Sequence, residues 1–146
     1  MAKYRRGAHT LYDIEYHFVW VTKYRYQVLK GEVAQRTREL IRQTCLSREI
    51  KIIRGHVSKD HVHVLLSCPP RLSPSQIMQY LKGRSSRRLQ EEFPHLKKRY
   101  WGRHIWARGY FCASVGSLNE EHVKAYIENH DREPIEESFS IEDDQA

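Results

Sequence analysis

The stretch Ser58-Lys59-Asp60-His61-Val62-His63-Val64-Leu65-Leu66-Ser67 decides the fold. Ser-Lys-Asp is turn chemistry, and the apolar, β-branched run behind it reads as a strand. Successive side chains on a strand face opposite ways, so Val62, Val64 and Leu66 share one face and His61 and His63 the other. Residues two apart on a strand are separated by about 6.5 Å, so two neutral imidazoles at this spacing can converge on one metal ion. With nine histidines in the chain an H-x-H pair arises readily by chance, and the bland reading is two half-exposed histidines on the open side of a sheet. Its place just inside a strand, opposite an aliphatic stripe, points to a site.

Working outward, residues 50–57 read as a strand that the turn folds into a hairpin with residues 61–68, and Pro69-Pro70 stops the second strand. Behind Gly31, Val33, Thr37, Leu40, Ile41, Thr44 and Cys45 keep the spacing of a buried helical stripe. Earlier still, Tyr12, Ile14, Tyr16, Phe18 and Trp20 alternate with Asp13, Glu15, His17, Val19 and Val21, a strand with one aromatic face. Downstream, Ser73-Pro74-Ser75-Gln76 is a capping box with proline at the first helical position. The helix it opens carries Ile77, Tyr80, Leu81, Ser85 and Leu89 on its apolar side, and Lys82, Arg84, Arg87 and Arg88 crowd its second half. Residues 93–108 read as a loop rich in Lys, Arg, His and Trp, and residues 110–115 as a fourth strand. Ser117-Leu118-Asn119-Glu120 is a second capping box, which opens a last helix reaching His130.

The order β-α-β-β-α-β plus a helix is the ferredoxin-like split βαβ arrangement: an α+β fold whose antiparallel sheet, an RNA-recognition-like palm, carries two helices on one face. If those helices cover Val62 and Val64, the histidine face is left open for ligands. Such a fold does not by itself give a function.

The chain of 146 residues fits one domain, expected over residues 1–132, with an acidic tail over 133–146 expected to be disordered. That tail holds Glu133, Glu136, Glu137, Glu142, Asp143 and Asp144 and no Lys or Arg. The net charge of +7 therefore understates the rest, where 25 basic face 12 acidic side chains. Such a surplus is self-repelling and points to a polyanionic partner, nucleic acid before a merely solvated surface. Cys45, Cys68 and Cys112 are odd in number and lack C-x-x-C spacing, as buried thiols of a reducing compartment would. With no membrane-length apolar run and no signal-peptide pattern, a cytoplasmic protein is expected.

On the last helix Tyr126 and His130 are i, i+4 neighbours, and Val123 and Ile127 form the adjacent apolar edge. A tyrosine beside an apolar stripe is ordinarily a packing residue. Here His130 could complete a metal site with His61 and His63 and bring the phenol to a bound phosphate. A phenol with a pKa near 10 attacks poorly at neutral pH, and a divalent ion can polarise the phosphate and stabilise the leaving oxygen. The product, a phosphotyrosine, would conserve the phosphodiester energy for a later strand transfer. Consistent with that, the chain has no G-x-x-x-x-G-K-[ST] loop.

At these residues the chain resembles the single-tyrosine transposases of minimal bacterial insertion sequences. Asp60-His61-Val62-His63-Val64-Leu65-Leu66 is similar to their HUH motif of histidine, hydrophobic residue, histidine. Lys82-Gly83-Arg84-Ser85-Ser86-Arg87-Arg88, Trp101-Gly102 and Tyr126-Ile127-Glu128-Asn129 stand where that family carries similar strings, and Lys23-Tyr24-Arg25-Tyr26 matches a segment after its first strand. The likeness spans residues 10–133. It implies a homodimeric, metal-dependent endonuclease and strand transferase, nucleoid-associated in a bacterial or archaeal cell, acting on single-stranded DNA with hairpin ends. Tyr126 would be the nucleophile, forming a 5′-phosphotyrosine link and releasing a 3′-hydroxyl. His61 and His63 would bind Mg2+ or Mn2+, and the tyrosine helix would dock in cis or, on the partner subunit, in trans. The family commonly has glutamine where His130 stands, and a third imidazole suits manganese, nickel or zinc better than magnesium. If His130 is not a ligand, it is an ordinary histidine near a helix C-terminus.

Lys82, Arg84, Arg87 and Arg88 are candidate phosphate contacts, with a solvated helix face as the plain alternative. The interleaved cations and aromatics of Lys97-Lys98-Arg99-Tyr100-Trp101-Gly102-Arg103-His104-Ile105-Trp106 suit stacking on unpaired bases, with one of the two tryptophans expected to anchor the core instead. Other readings of the whole chain are a domesticated enzyme that processes chromosomal repeats by the same chemistry, a non-catalytic single-strand-binding module, and a hydrolase using metal-bound water.

Overall fold

The computed structural model describes residues 4–115 and 140–141. The expected last helix, with Tyr126 and His130, lies outside the described residues. Two short strands, β1 (Arg5–Arg6) and β2 (Leu11–Tyr12), pair antiparallel with each other. The first long strand, β3 (Glu15–Val21), therefore begins later than the run of alternating aromatics suggests. Then come α1 (Gly31–Ser47), β4 (Lys51–Val57), β5 (His61–Ser67), α2 (Pro74–Glu92), α3 (Pro94–Arg99), β6 (Phe111–Ser114) and β7 (Ser140–Ile141).

The main sheet has the order β6-β3-β5-β4-β7. Its β6-β3-β5-β4 part is antiparallel throughout, which is the ferredoxin-like arrangement read from the sequence. β7 extends it in parallel on β4, with His56 opposite Ser140 and Val57 opposite Ile141. These two residues fall in the stretch expected to be disordered. Ile141 packs against the core, an apolar β-branched residue that the acidic composition around it conceals.

Both long helices lie on one side of the sheet. The α1 stripe of Val33, Ala34, Thr37, Leu40, Ile41, Thr44 and Cys45 is buried, joined by Ile77, Leu81 and Leu89 of α2 over Phe18, Trp20, Val62, Val64 and Leu66. Thr37 and Thr44 enter this apolar layer by donating their hydroxyls to Val33 O (2.7 Å) and Leu40 O (2.8 Å) one turn back. The capping box of α2 is formed: the Gln76 N–H donates to Ser73 Oγ (3.2 Å) and the Ser73 N–H to Gln76 Oε1 (2.9 Å). Across the layer, Arg36 of α1 grips Glu92 of α2 through both carboxylate oxygens (2.7 and 2.9 Å).

Residues 93–108, read as a loop, contain α3. Pro94 occupies its first turn, and buried Leu96 ties it to the core. Cys45 and Cys68 are buried free thiols, as expected, whereas Cys112 is only partly buried.

Candidate functional site

The hairpin β4–β5 and its neighbour β3 assemble a face of histidines. Val62, Val64 and Leu66 turn toward the helices and are fully buried. His61 and His63 turn to the other face, as alternation requires. On that face His63 lies between Val19 of β3 and His56 of β4, its direct cross-strand neighbours. His17 sits diagonally on β3, its ring stacked on that of His63 at 5.4 Å, with Nδ1 3.1 Å from His63 Nε2. His56 and His61 approach to 6.4 Å between ring centres.

Sequence alternation therefore finds two of four clustered histidines. His17 was legible as a residue on the non-aromatic side of its strand, but strand pairing was needed to put it beside His63. His56 was hidden by a β-bulge: the register of β4 on β5 shifts between Ile52 and Arg54, and this shift sets His56 opposite His63.

The histidine face is not open in the way expected. His61 is 0 % exposed, with buried Ser58 and Asp60 beside it in the turn, while His63 and His17 are partly buried. Asp60 Oδ1 lies 3.1 Å from His61 Nδ1, and the other carboxylate oxygen of Asp60 faces Arg25 Nε at 3.6 Å. A carboxylate accepting from Nδ1–H fixes the tautomer whose lone pair is on Nε2, the arrangement common at metal-binding histidines. Burial, then the neighbouring His17, His61 and His56 and the Arg54 charge, push the His63 pKa down to about 3. Burial and Arg54 lower that of His17 as well. At neutral pH both are uncharged imidazoles, the form that binds metal.

His61 and His63 offer a divalent ion at most two nitrogen donors, and the Nε2 of His63 lies against His17 Nδ1. Among the described residues no group of three His, Cys, Asp or Glu side chains is placed to hold a metal ion. The remaining positions would have to come from substrate oxygens, water or His130.

The four basic residues of α2 differ in their surroundings. Lys82 donates from its ammonium to Ala107 O (2.8 Å) and Gly109 O (3.0 Å), and burial lowers its pKa. Arg84 donates to Gln43 Oε1 (2.9 Å), and Arg88 pairs with Glu92 (3.2 Å) and Glu91 (3.8 Å). Arg87 is exposed and lines an open groove of about 550 Å3 with Lys23, Lys97 and Arg103. Of the two tryptophans in the basic segment, Trp106 is the core anchor. It is 4 % exposed, packs edge-on against Trp20 at 5.9 Å and donates Nε1–H to Ser85 Oγ (2.9 Å).

A family model described as "Transposase IS200 like" matches residues 10–130. The chain belongs to the IS200-like transposase family. Among its relatives, the ISDra2 transposase TnpA of Deinococcus radiodurans is 36 % identical over 130 residues, covering 88 % of this chain and 93 % of the relative. The transposase for insertion sequence element IS200 of Salmonella typhimurium is 37 % identical over 135 residues, covering 92 % and 88 %. A crystal structure of a Deinococcus radiodurans R1 protein assigned as a transposase superposes with a TM-score of 0.78 at 34 % identity, over 88 % of this chain and 99 % of that one. A REP-associated tyrosine transposase solved on a REP hairpin shares the fold, with a TM-score of 0.53 at 17 % identity over 89 % of this chain and 70 % of that one. As an IS200-like transposase the chain is a DNA-cleaving and DNA-rejoining enzyme, and the histidine face is its candidate active site. No helix among the described residues is long and apolar enough to cross a membrane.

Proposed function

We propose that this transposase cuts and rejoins single-stranded DNA through Tyr126, at a divalent metal ion held by His61 and His63 with His130 as a third ligand. The observation that carries the reading is the pair of strand-borne imidazoles, His61 oriented by Asp60 and His63 kept neutral by burial, in a chain of this family. Bound there, Mg2+, Mn2+ or a softer ion would polarise the scissile phosphate and stabilise the leaving oxygen. The Tyr126 oxygen attacks phosphorus while the bond to the 3′ oxygen breaks; the phenol gives up its proton and the released 3′ oxygen takes one up. The 5′-phosphotyrosine link is then open to attack by a second 3′-hydroxyl, which reverses the same steps and restores the phenol. A homodimer recognising hairpin ends, with each tyrosine acting in cis or in trans, completes the proposal.

The test is incubation with single-stranded element ends and Mn2+. A protein–DNA adduct that survives denaturation is expected from the native chain and none from Tyr126→Phe, while the variant still binds the DNA. An undiminished adduct from Tyr126→Phe would overturn the assignment. Adduct formation should also stop in His61→Ala and His63→Ala.

A further inference from the structure

A second feature lies between α2, α3 and the segment that follows β3. The backbone at Trp101 is left-handed (φ 55°), yet the side chain is 82 % exposed. Trp101 occupies the position after α3 where a helix ends in the left-handed region: the Gly102 N–H donates to Lys97 O (2.8 Å) and the Trp101 N–H to Lys98 O (3.3 Å). Glycine is the residue that takes this conformation without strain, and a tryptophan there is an outlier that folding alone does not call for. Tyr24 repeats the pattern, left-handed at φ 61° and 69 % exposed.

The two segments are fastened together. The Lys23 N–H donates to Ile105 O (2.7 Å), Thr22 bridges to Trp106, and the Tyr100 hydroxyl donates to Lys23 O (3.4 Å). The Tyr26 ring packs at a tilt against both Tyr24 (5.4 Å) and Tyr100 (5.7 Å). Lys23 and Gly102, the immediate neighbours of the two exposed aromatics, line the groove into which Arg87, Lys97 and Arg103 also face, with Glu91 as its acidic member.

We infer that this groove is a binding track for an unpaired run of nucleic acid, its phosphates on Lys23, Arg87, Lys97 and Arg103 and its bases stacked on Trp101 and Tyr24. Exposed aromatics beside a cationic groove suit single strands, because stacking needs a base whose face is uncovered, whereas an intact duplex keeps its base faces stacked on one another. The track deepens the proposed action on single-stranded DNA and rests on it for the identity of the strand; its function would be to hold and position that strand outside the histidine site.

Of the three tryptophans, Trp20 and Trp106 are buried, so Trp101 is the one that solvent and ligand reach. The experiment titrates the full chain with a labelled oligothymidylate and with a duplex of equal length, reading tryptophan emission and anisotropy. Quenching by the oligothymidylate is expected in the native chain and lost in Trp101→Gly, with affinity down roughly 5- to 100-fold. Glycine suits the left-handed position, so the thermal midpoint of that variant should hold or rise. Retained affinity and quenching in Trp101→Gly, or equal quenching by duplex, would overturn the track. The readout is independent of Tyr126: quenching without any covalent adduct leaves the track standing and sinks the nuclease chemistry, and an adduct with no quenching does the reverse.

Discussion

Lys82 and Arg87 are five residues apart on one helix and look interchangeable in the sequence, but their surroundings separate them. The Lys82 ammonium is half-buried and holds the carbonyls of Ala107 and Gly109. Lys82→Met removes both hydrogen bonds and, since water can reach the Gly109 carbonyl, should destabilise the fold by about 1–1.5 kcal/mol, seen as a lower denaturant midpoint. Arg87→Gln removes an exposed cation and should leave the midpoint within about 0.5 kcal/mol while weakening DNA binding at low salt. Equal loss of stability in the two would mean that Lys82 is as solvated as its neighbour. The difference was not legible beforehand, because both residues are cations at polar helical positions. What tells them apart is where the 107–109 backbone returns, and no periodicity encodes that. The histidines divide similarly: His61 and His63 follow from alternation alone, whereas His17 and His56 required the register.

At the scale of elements, the sequence was most informative where one residue type has one physical use. Ser73-Pro74-Ser75-Gln76 could open only a helix, and the Val62/Val64/Leu66 stripe could only face helices. It misled where a local pattern was continuous but the chain turned: the aromatic alternation runs through Tyr12 and Ile14, yet Tyr12 pairs with Arg5 instead of joining β3. It was silent where stability comes from contacts distant in sequence. The Arg36–Glu92 pair, which ties α1 to α2, is of that kind. Its two hydrogen bonds hold the Glu92 carboxyl below its ordinary pKa, with Arg36 the main cause and Arg88 a second. A depressed carboxylate stabilises the fold above its unfolded pKa, about 4.3, and the contribution is lost as pH falls through the lower folded value. Because the pair is partly exposed, Glu92→Gln should lower stability at neutral pH by only about 0.5–1 kcal/mol and remove that acid-linked component. Urea titrations of both proteins from neutral pH downward should therefore converge in acid; a gap that persists below the carboxylate range would show that the variant perturbs packing and not charge.

At the scale of the whole molecule, the groove cations and the clustered histidines belong to different elements, although Arg54 also places a positive charge beside the histidines. The groove cations come from α2, α3 and the segments around Lys23 and Arg103, while burial pushes the His63 pKa down to about 3 and lowers that of His17. A strand bound in the groove would thus draw its electrostatic attraction from side chains other than the proposed metal ligands. Each phosphate contact on a single strand steepens the dependence of log K on log salt by about 0.7, so the four groove cations should give a slope of about −3. His63→Ala removes a neutral side chain that we propose as a metal ligand and should reproduce that slope unchanged, even as it abolishes adduct formation. Arg87→Gln combined with Arg103→Gln should flatten it by about 1.4 while leaving the adduct chemistry available at low salt. If the double variant kept the native slope, the phosphates would have to lie on other cations, and the excess of 25 basic over 12 acidic residues in positions 1–132 would be meeting DNA somewhere else on the surface.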